Sequence, residues 1–162
     1  AGNSGFSGED GRTTIFDYWG VPQHQKWMNG GAFDGGQLGD SEKELRQFYK
    51  TLLRSVREEK AISEGGFYDL MPAQYGNDQM PRRVYAYIRF TEKEQVLIVN
   101  NFENNEQNIR INLPEDVRQA FHLQGSSVQM KDLLSGQEIT TSAIEDHISV
   151  HVPANQSLIL KF

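Results

Sequence analysis

Residues 41–59 read SEKELRQFYKTLLRSVREE and carry the most regular pattern in the chain. Their apolar side chains recur at intervals of three and four residues, which lines one face of an α-helix and fits no β-strand. These side chains are Leu45, Phe48, Tyr49, Leu52, Leu53 and Val56. Ser41, followed three residues later by Glu44, predicts a capping box at the start of the helix. The sequence therefore predicts an amphipathic helix whose wide apolar face lies against something large.

The chain changes character on either side of this helix. Residues 1–40 are rich in glycine and aromatic side chains and lack periodicity, which is typical of an elaborate functional loop rather than of a self-sufficient core. Beyond Ile62, the pair Gly65 and Gly66 ends the helical pattern. Short apolar stretches then alternate with turn signals at intervals of roughly 8–12 residues. The helix therefore joins two unlike parts of the chain.

The later part of the chain predicts eight short β-strands. Residues 83–91 alternate as in a strand with one buried face, and residues 96–99 are continuously apolar, as in a central strand covered on both faces. The predicted strands span residues 67–70, 83–91, 96–99, 108–113, 127–133, 137–141, 147–152 and 156–162. Pro114 begins a helical turn that runs to Ala120. These features predict a mainly β fold, an eight-stranded antiparallel Greek-key β-sandwich preceded by a loop-rich segment and one amphipathic α-helix.

The composition excludes several classes of function. A net charge of −6 argues against nucleic-acid binding, which needs clusters of basic side chains. No apolar stretch approaches the roughly 18 residues of a membrane span, and residues 1–11 lack the basic and apolar regions of a signal peptide. The absence of cysteine excludes thiol catalysis, disulfides and cysteine metal sites. The composition is that of a soluble globular protein and leaves its compartment unknown.

The sequence contains no recognisable catalytic, metal or cofactor motif. His147 and His151 share a face of one predicted strand but lie roughly 13 Å apart, at ~3.3 Å per residue, which is too far for a shared zinc ion. Asp34 lacks the further oxygen ligands that a calcium loop needs. Neither a Gly-x-Ser-x-Gly turn nor a phosphate-binding loop is present. No pair of carboxylates stands out as the two facing acids of a glycosidase.

One group of aromatic residues precedes the helix, and it has two interpretations. Its members are Phe16, Tyr18, Trp19, Trp27 and Phe33. Flat apolar side chains suit the apolar faces of sugar rings, so the group could form a platform for a carbohydrate, by extension of the rules for aromatic packing. The other interpretation, which is the more frequent one for any single residue of this kind, is a small core packed against the helix or a neighbouring domain. Both interpretations stay open on the sequence alone.

Several stretches, taken in order, resemble the C-terminal part of the α-amylase family of glycoside hydrolases. RTTIFDYW at residues 12–19, the helix through Ile62 and GGFYDL at residues 65–70 resemble the end of that family's catalytic barrel. Residues 84–102 resemble the first hairpin of its C-terminal β-sandwich. DLLSG at residues 132–136 and VPANQSLILKF at residues 152–162 resemble the end of the sandwich. Residues 60–62 replace a Pro-Ala-Leu element that is frequent in the family.

The resemblance implies what each part of the chain does. Residues 1–62 would be a remnant of the catalytic barrel, with its terminal helix at residues 41–59, and residues 63–162 would be the sandwich domain. The family's three catalytic carboxylates lie at the ends of earlier barrel strands, so the chain itself is expected to be non-catalytic. Asp69 is not assigned as a nucleophile, because it follows the last helix and lacks the family's arginine. The resemblance also implies that Tyr18, Trp19 and Trp27 stack on substrate sugar in the intact protein.

The expected partners follow from the same resemblance. They are the missing N-terminal catalytic barrel and an α-glucan oligosaccharide, with neither a cofactor nor a metal. The parent enzyme would be a hydrolase or transglycosidase that acts on α-glucans. Two alternatives are a stand-alone carbohydrate-binding sandwich and a homodimer formed through the helix face, because an exposed apolar stripe of that size favours pairing.

Overall fold

The computed structural model describes residues 21–121, 127–141 and 146–162. The chain divides into two compact units, the first ending at Tyr49 and the second spanning Lys50–Phe162. This division falls inside a helix, whereas the sequence predicts a domain boundary after residue 62, and that boundary stays a prediction about the intact protein. In the described residues, no helix is long and apolar enough to cross a membrane.

The first unit contains a helix that the sequence analysis missed. Helix α1 (Pro22–Met28) is followed by a 3₁₀ turn at Asn29–Gly31, where a continuous loop was predicted. Pro22 suits the first helical position because its missing N–H has no partner there anyway. Asn29 ends the helix in the left-handed conformation with φ 46°. Seven residues without an apolar period leave no helical signature in the sequence, so the prediction of a loop was wrong here.

Helix α2 (Asp40–Glu58) is the predicted amphipathic helix. The predicted capping box at Ser41 and Glu44 was wrong, because the helix begins one residue earlier. The amide of Lys43 donates to the carbonyl of Gly39 at 3.0 Å, and the amide of Gly39 donates to the Glu42 carboxylate at 2.8 Å. Gly39 therefore caps the helix, and Glu42 occupies the position at which a capping-box carboxylate reaches back. A four-residue helix, α3 (Lys60–Ser63), follows after a break at Glu59.

The second unit contains all eight predicted strands and the helical turn. The strands are β1 (Gly66–Asp69), β2 (Val84–Phe90), β3 (Gln95–Asn101), β4 (Gln107–Asn112), β5 (Val128–Asp132), β6 (Glu138–Thr141), β7 (His147–Val152) and β8 (Ser157–Lys161). A 3₁₀ turn at Met71–Gln74 follows β1, and helix α4 (Glu115–Ala120) follows β4. Strand ends differ from the predicted ones by at most two residues.

The strands form two antiparallel sheets. The large sheet has the order β1-β2-β3-β8-β5-β6, and the small sheet pairs β4 with β7. After β3 the chain crosses to the small sheet for β4, returns to the large sheet for β5 and β6, and crosses again for β7. Strand β8 then enters the large sheet between β3 and β5, and such a long return connection is typical of a Greek-key sandwich. The predicted fold class is therefore confirmed.

The main core lies between the two sheets. Its largest fully buried side chains are Leu70, Ile88, Leu97, Ile109, Ile111, Met130, Ile148, Leu160, Val99, Val117 and Val152. Strand β3 is covered on both faces, as its apolar run predicts, because Leu97 and Val99 enter this core while Val96 and Ile98 enter a second one. The second core lies on the outer face of the large sheet, the face away from the small sheet.

Candidate functional site: the outer face of the large sheet

The helical segment covers one part of the outer face. Glu59 has an extended backbone with φ −92° and ψ 108°, which breaks α2 from α3. This break turns α3 onto the sheet, where the fully buried Ala61 packs with Val96, Ile98 and Ile159. Leu52, Ile62, Tyr87, Leu133 and Leu134 surround this cluster. The second core therefore attaches the end of the helical segment to the sandwich by apolar contacts.

Arg89 of β2 adds a polar clamp to this attachment. Its guanidinium donates hydrogen bonds to the carbonyls of Ala61 at 3.3 Å, Ile62 at 3.0 Å and Gly65 at 2.7 Å. The last carbonyls of a helix have no partner within the helix, and an arginine near that end satisfies them. The Glu94 carboxylate accepts from the amide of Ala61 at 3.1 Å. The clamp therefore satisfies the backbone of α3 at both of its ends.

An ion pair lies at the break between α2 and α3. The ammonium of Lys161, at the end of β8, lies 2.5 Å from the Glu59 carboxylate and 3.9 Å from the Glu94 carboxylate. Lys161 is about one-third exposed, and Glu59 is only 13% exposed. Partial burial leaves such a pair less screened than a surface pair.

Three aromatic rings form a row on the outer face beside this attachment. Phe67 of β1 lies 5.4 Å from Tyr87 of β2, and Tyr87 lies 5.5 Å from Tyr85, with ring planes tilted by about 40° in both pairs. Phe67 is 52% exposed. Burial raises the pKa of the Tyr85 hydroxyl, and the nearby carboxylate of Asp69 raises it further. This aromatic row is thus a half-covered apolar surface rather than a solvated strand face.

The sequence of β2 contains a signal for the aromatic row. Tyr85 and Tyr87 alternate with Val84, Ala86 and Ile88, so the tyrosines had to lie opposite the core. Two aromatic residues two positions apart on a strand face that is not part of the main core indicate a surface that something covers.

Much of the apolar stripe of α2 is exposed. In the first unit, Leu45 is 58% exposed, Phe48 47% and Tyr49 54%. In the second unit, Leu53 is 65% exposed and Val56 38%, while Leu52 packs on the second core. The polar side chains of α2 form ordinary surface pairs such as Arg54 with Glu58 at 2.9 Å. The helix therefore presents an apolar face of the width that the sequence predicts.

Of the three predicted sugar-binding residues, the structure describes only Trp27. Tyr18 and Trp19, like Phe16, lie outside the described residues. The Arg46 guanidinium lies 4.4 Å from the centroid of the Trp27 ring, a cation–π distance. A methyl group added at Gly35 would come within 2.8 Å of the same ring. Trp27 is thus packed within the first unit, and its contact with sugar stays a prediction.

The histidines and Asp34 make local contacts. The Nδ1 atom of His147 lies 3.0 Å from the Asp146 carboxylate, and that of His151 lies 3.1 Å from the side-chain oxygen of Asn108. The Asp34 carboxylate accepts from the side chain of Asn29 and from the amide of Gly36, each at 2.8 Å. Among the described residues, no group of three or more histidines and carboxylates could hold a metal ion.

A comparison of the sequence with known protein families identifies the domain to which this outer face belongs. The sequence model of the maltogenic amylase C-terminal domain matches residues 77–159, just over half of the chain. The chain belongs to this family. The match begins after β1 and ends within β8, so it spans most of the sandwich. The sequence-based recognition of the C-terminal region of an α-amylase-family glycoside hydrolase is therefore confirmed.

Solved structures show the same fold. An α-amylase from Anoxybacillus is 15% identical with a TM-score of 0.54, and the match covers 81% of this chain and 25% of that one. A noncanonic maltogenic α-amylase from Thermotoga neapolitana is 19% identical with a TM-score of 0.54, covering 74% and 25%. An α-amylase from Geobacillus thermoleovorans, solved with acarbose, is 14% identical with a TM-score of 0.55, covering 80% and 26%. The chain thus spans about a quarter of each structure. No curated protein matches it in sequence.

In this maltogenic amylase C-terminal domain, the DLLSG stretch forms a turn. Asp132 is buried, and one of its carboxylate oxygens accepts from the amides of Leu134 at 3.3 Å and Ile159 at 3.1 Å. The other oxygen accepts from the amide of Ser135 at 3.0 Å and from its hydroxyl at 2.5 Å. Every one of these donors is local or on the neighbouring strand β8, so the buried carboxylate stabilises the turn. Its burial therefore has a structural explanation.

Proposed function

We propose that this chain is the non-catalytic C-terminal part of a glycoside hydrolase that acts on α-glucans, and that it packs on and stabilises the catalytic barrel of that enzyme. In this proposal, α2 is the terminal helix of the barrel and β1–β8 are the sandwich that follows it. The family match supports the assignment of the sandwich. The coverage of only a quarter of the matched structures supports a further, larger part that carries the chemistry.

The outer face of the large sheet is the observation that carries the proposal. Ala61 and Ile62 cover one part of this face, and the aromatic row of Phe67, Tyr87 and Tyr85 continues it beside them. An apolar surface that is partly covered by the end of one barrel helix is a natural site for more of the same barrel. Burial contributes roughly 25 cal/mol per Å² of apolar area, so each ring covered there would add on the order of 1–3 kcal/mol.

A first test concerns catalysis. The purified 162-residue chain is expected to release no reducing sugar from starch or maltooligosaccharides, because the catalytic carboxylates belong to the barrel in this proposal. Sugar release that survives repurification and is abolished by heat denaturation of the chain would contradict it.

A second test concerns docking in the intact enzyme. The double variant Phe67→Ser and Tyr87→Ser should lower the temperature of half-inactivation by several degrees more than it lowers the melting temperature of the separate chain, because it removes apolar contacts between sandwich and barrel in addition to the contact of Tyr87 with the second core. The matched control is Tyr75→Ser, since Tyr75 is an aromatic residue of the same unit that is 99% exposed. Equal inactivation temperatures for the double variant, the control and the wild type would contradict docking through the aromatic row.

The exposed stripe of α2 favours a second candidate, a homodimer of the separate chain. Leu45 at 58% and Leu53 at 65% exposure are unusually open for leucines of an amphipathic helix. Sedimentation velocity at increasing protein concentration should then give a dimer that Leu53→Glu returns to a monomer. A monomeric wild type at the highest concentration would rule this candidate out.

A further inference from the structure

The loop between β1 and β2 lies along one edge of the small sheet. Residues 70–83 connect these two neighbouring strands of the large sheet, yet the loop also contacts β4. Leu70 and Met80 pack into the main core. Among residues 71–79, all of which the structure describes, only Gln74 is buried, and Tyr75 is 99% exposed. Burial of apolar side chains therefore contributes little to the position of this part of the loop.

Polar groups of the loop bond to the backbone of β4 at two alternate residues. The side-chain amide of Asn77 donates to the carbonyl of Arg110 at 2.8 Å, and the amide of Arg110 donates to the carbonyl of Gln79 at 3.5 Å. The Nε2 atom of Gln74 donates to the carbonyl of Asn112 at 2.8 Å, and its Oε1 atom accepts from the amide of Asn112 at 2.9 Å. In an antiparallel pair, alternate residues direct their N–H and C=O groups away from the partner strand. Arg110 and Asn112 therefore present the edge of β4 that faces away from β7, and the loop covers it.

The side-chain amide of Gln74 takes the place of a peptide group in a neighbouring strand. It donates to and accepts from the same residue, Asn112, as two facing residues of paired strands do. Nε2 also donates to the carbonyl of Leu70 at 3.0 Å, and Oε1 also accepts from Asn77 at 2.9 Å. A glutamine amide has two N–H groups and an oxygen with two lone pairs, so this buried amide is fully bonded. Gln74 and Asn77 together form what we call the edge lock of β4.

We propose that the edge lock prevents β4 from pairing with β4 of a second copy of this chain. A strand edge with free N–H and C=O groups is a template for the addition of another strand, and proteins cover such edges. When the lock is removed, the backbone groups of Arg110 and Asn112 lose these partners. The same edge of a second copy then offers matching donors and acceptors, and two identical edges form a closed dimer. This interface involves neither the face of α2 nor the aromatic row.

The test removes the lock in a background with a disrupted face on α2. Leu53→Glu supplies that background, and Gln74→Met keeps the length of the side chain without its amide. At low protein concentration, hydrogen exchange of the Asn112 amide should be about tenfold faster than in the background alone. At high concentration, sedimentation velocity should give a dimer, and the Asn112 amide should become slow again because a strand of the second copy replaces the glutamine. A purely structural role of Gln74 would not restore protection of this amide as the dimer forms.

Two control variants in the same background separate the lock from a general loss of stability. Tyr75→Ser changes the loop without removing a bond of the lock. Ile148→Val removes a methyl group from a fully buried side chain of the small sheet and leaves the lock intact. Both controls should stay monomeric and keep slow exchange at Asn112.

A milder variant covers the case in which Gln74→Met does not fold. Asn77→Ala removes the donor to the carbonyl of Arg110 and one of the donors to Gln74, and it should give the same concentration dependence with a weaker dimer. A folded lock variant that stays monomeric at the highest concentration would overturn the proposal. A dimer in which the Asn112 amide exchanges as fast as in the monomer would also overturn it, because the two copies would then associate elsewhere.

Discussion

The two units of the chain are stabilised in different ways. The second unit buries two clusters of apolar side chains, one between its sheets and one under α3. Of the described residues in the first unit, only Val21 and Gly35 are buried. That unit is held by contacts such as Lys26 with Glu42 at 2.8 Å and the Arg46 guanidinium over the Trp27 ring at 4.4 Å. The sandwich can therefore support its own fold, whereas the segment before it depends on local polar contacts.

The same substitution in the two units provides the sharpest test of this difference. Leu97→Ala removes a fully buried side chain from the main core and should lower the free energy of unfolding by about 2–5 kcal/mol. Leu45→Ala removes a side chain that is 58% exposed and should change it by less than about 0.5 kcal/mol. Urea unfolding followed by circular dichroism measures both. Similar losses for the two variants would show that the first unit has an apolar core of its own.

A substitution at Arg89 tests whether side-chain hydrogen bonds from the sandwich stabilise the backbone of α3. Arg89→Met retains the aliphatic length but leaves the carbonyls of Ala61, Ile62 and Gly65 without this donor. We expect the free energy of unfolding to fall by about 1–3 kcal/mol, and hydrogen exchange of the α3 amides to become faster. Arg83→Met, at an exposed position of the same unit, is the control. Unchanged exchange in Arg89→Met would mean that apolar packing alone holds α3.

The sequence predicted the second unit far better than the first. Its strands are formed by an alternation that the chain itself satisfies, as in β2, where Val84, Ala86 and Ile88 enter the core and Tyr85 and Tyr87 do not. Period and burial agree there, so the pattern was enough to predict eight strands. It also placed the end of α2 within one residue of Glu58, but it did not predict the extended backbone of Glu59 that turns α3 onto the sheet. Glu59 pairs there with Lys161, which lies 102 residues further along the chain.

The first unit left no comparable signal. Helix α1 is too short for an apolar period, and its ends depend on Pro22 and Asn29. Two pairs with the same spacing could cap α2, and the structure uses Gly39 with Glu42 rather than the predicted Ser41 with Glu44. Phe33 has a left-handed backbone with φ 54°, which its residue type does not predict, because phenylalanine rarely adopts this conformation. Polar contacts between single residues have no period, so they cannot be read from spacing.

The smallest expected effect is confined to the first unit, and it is a pH dependence of the hydrogen bonds at the start of α2. The Glu42 carboxylate accepts from Lys26 at 2.8 Å and from the Gly39 amide at 2.8 Å, and these bonds lower its pKa, with Lys26 as the largest cause. A lowered pKa in the folded state means that the bonds contribute fully above the ordinary value of 4.5 and are lost as the pH falls through the lowered value. The Gly39 amide signal in NMR should therefore move only below about pH 4.5.

Glu42→Gln should abolish that acid transition, while Glu44→Gln, which removes the same charge two residues further along, should keep it. An acid transition of the Gly39 amide that persists in Glu42→Gln would show that the start of α2 is held by something other than this carboxylate.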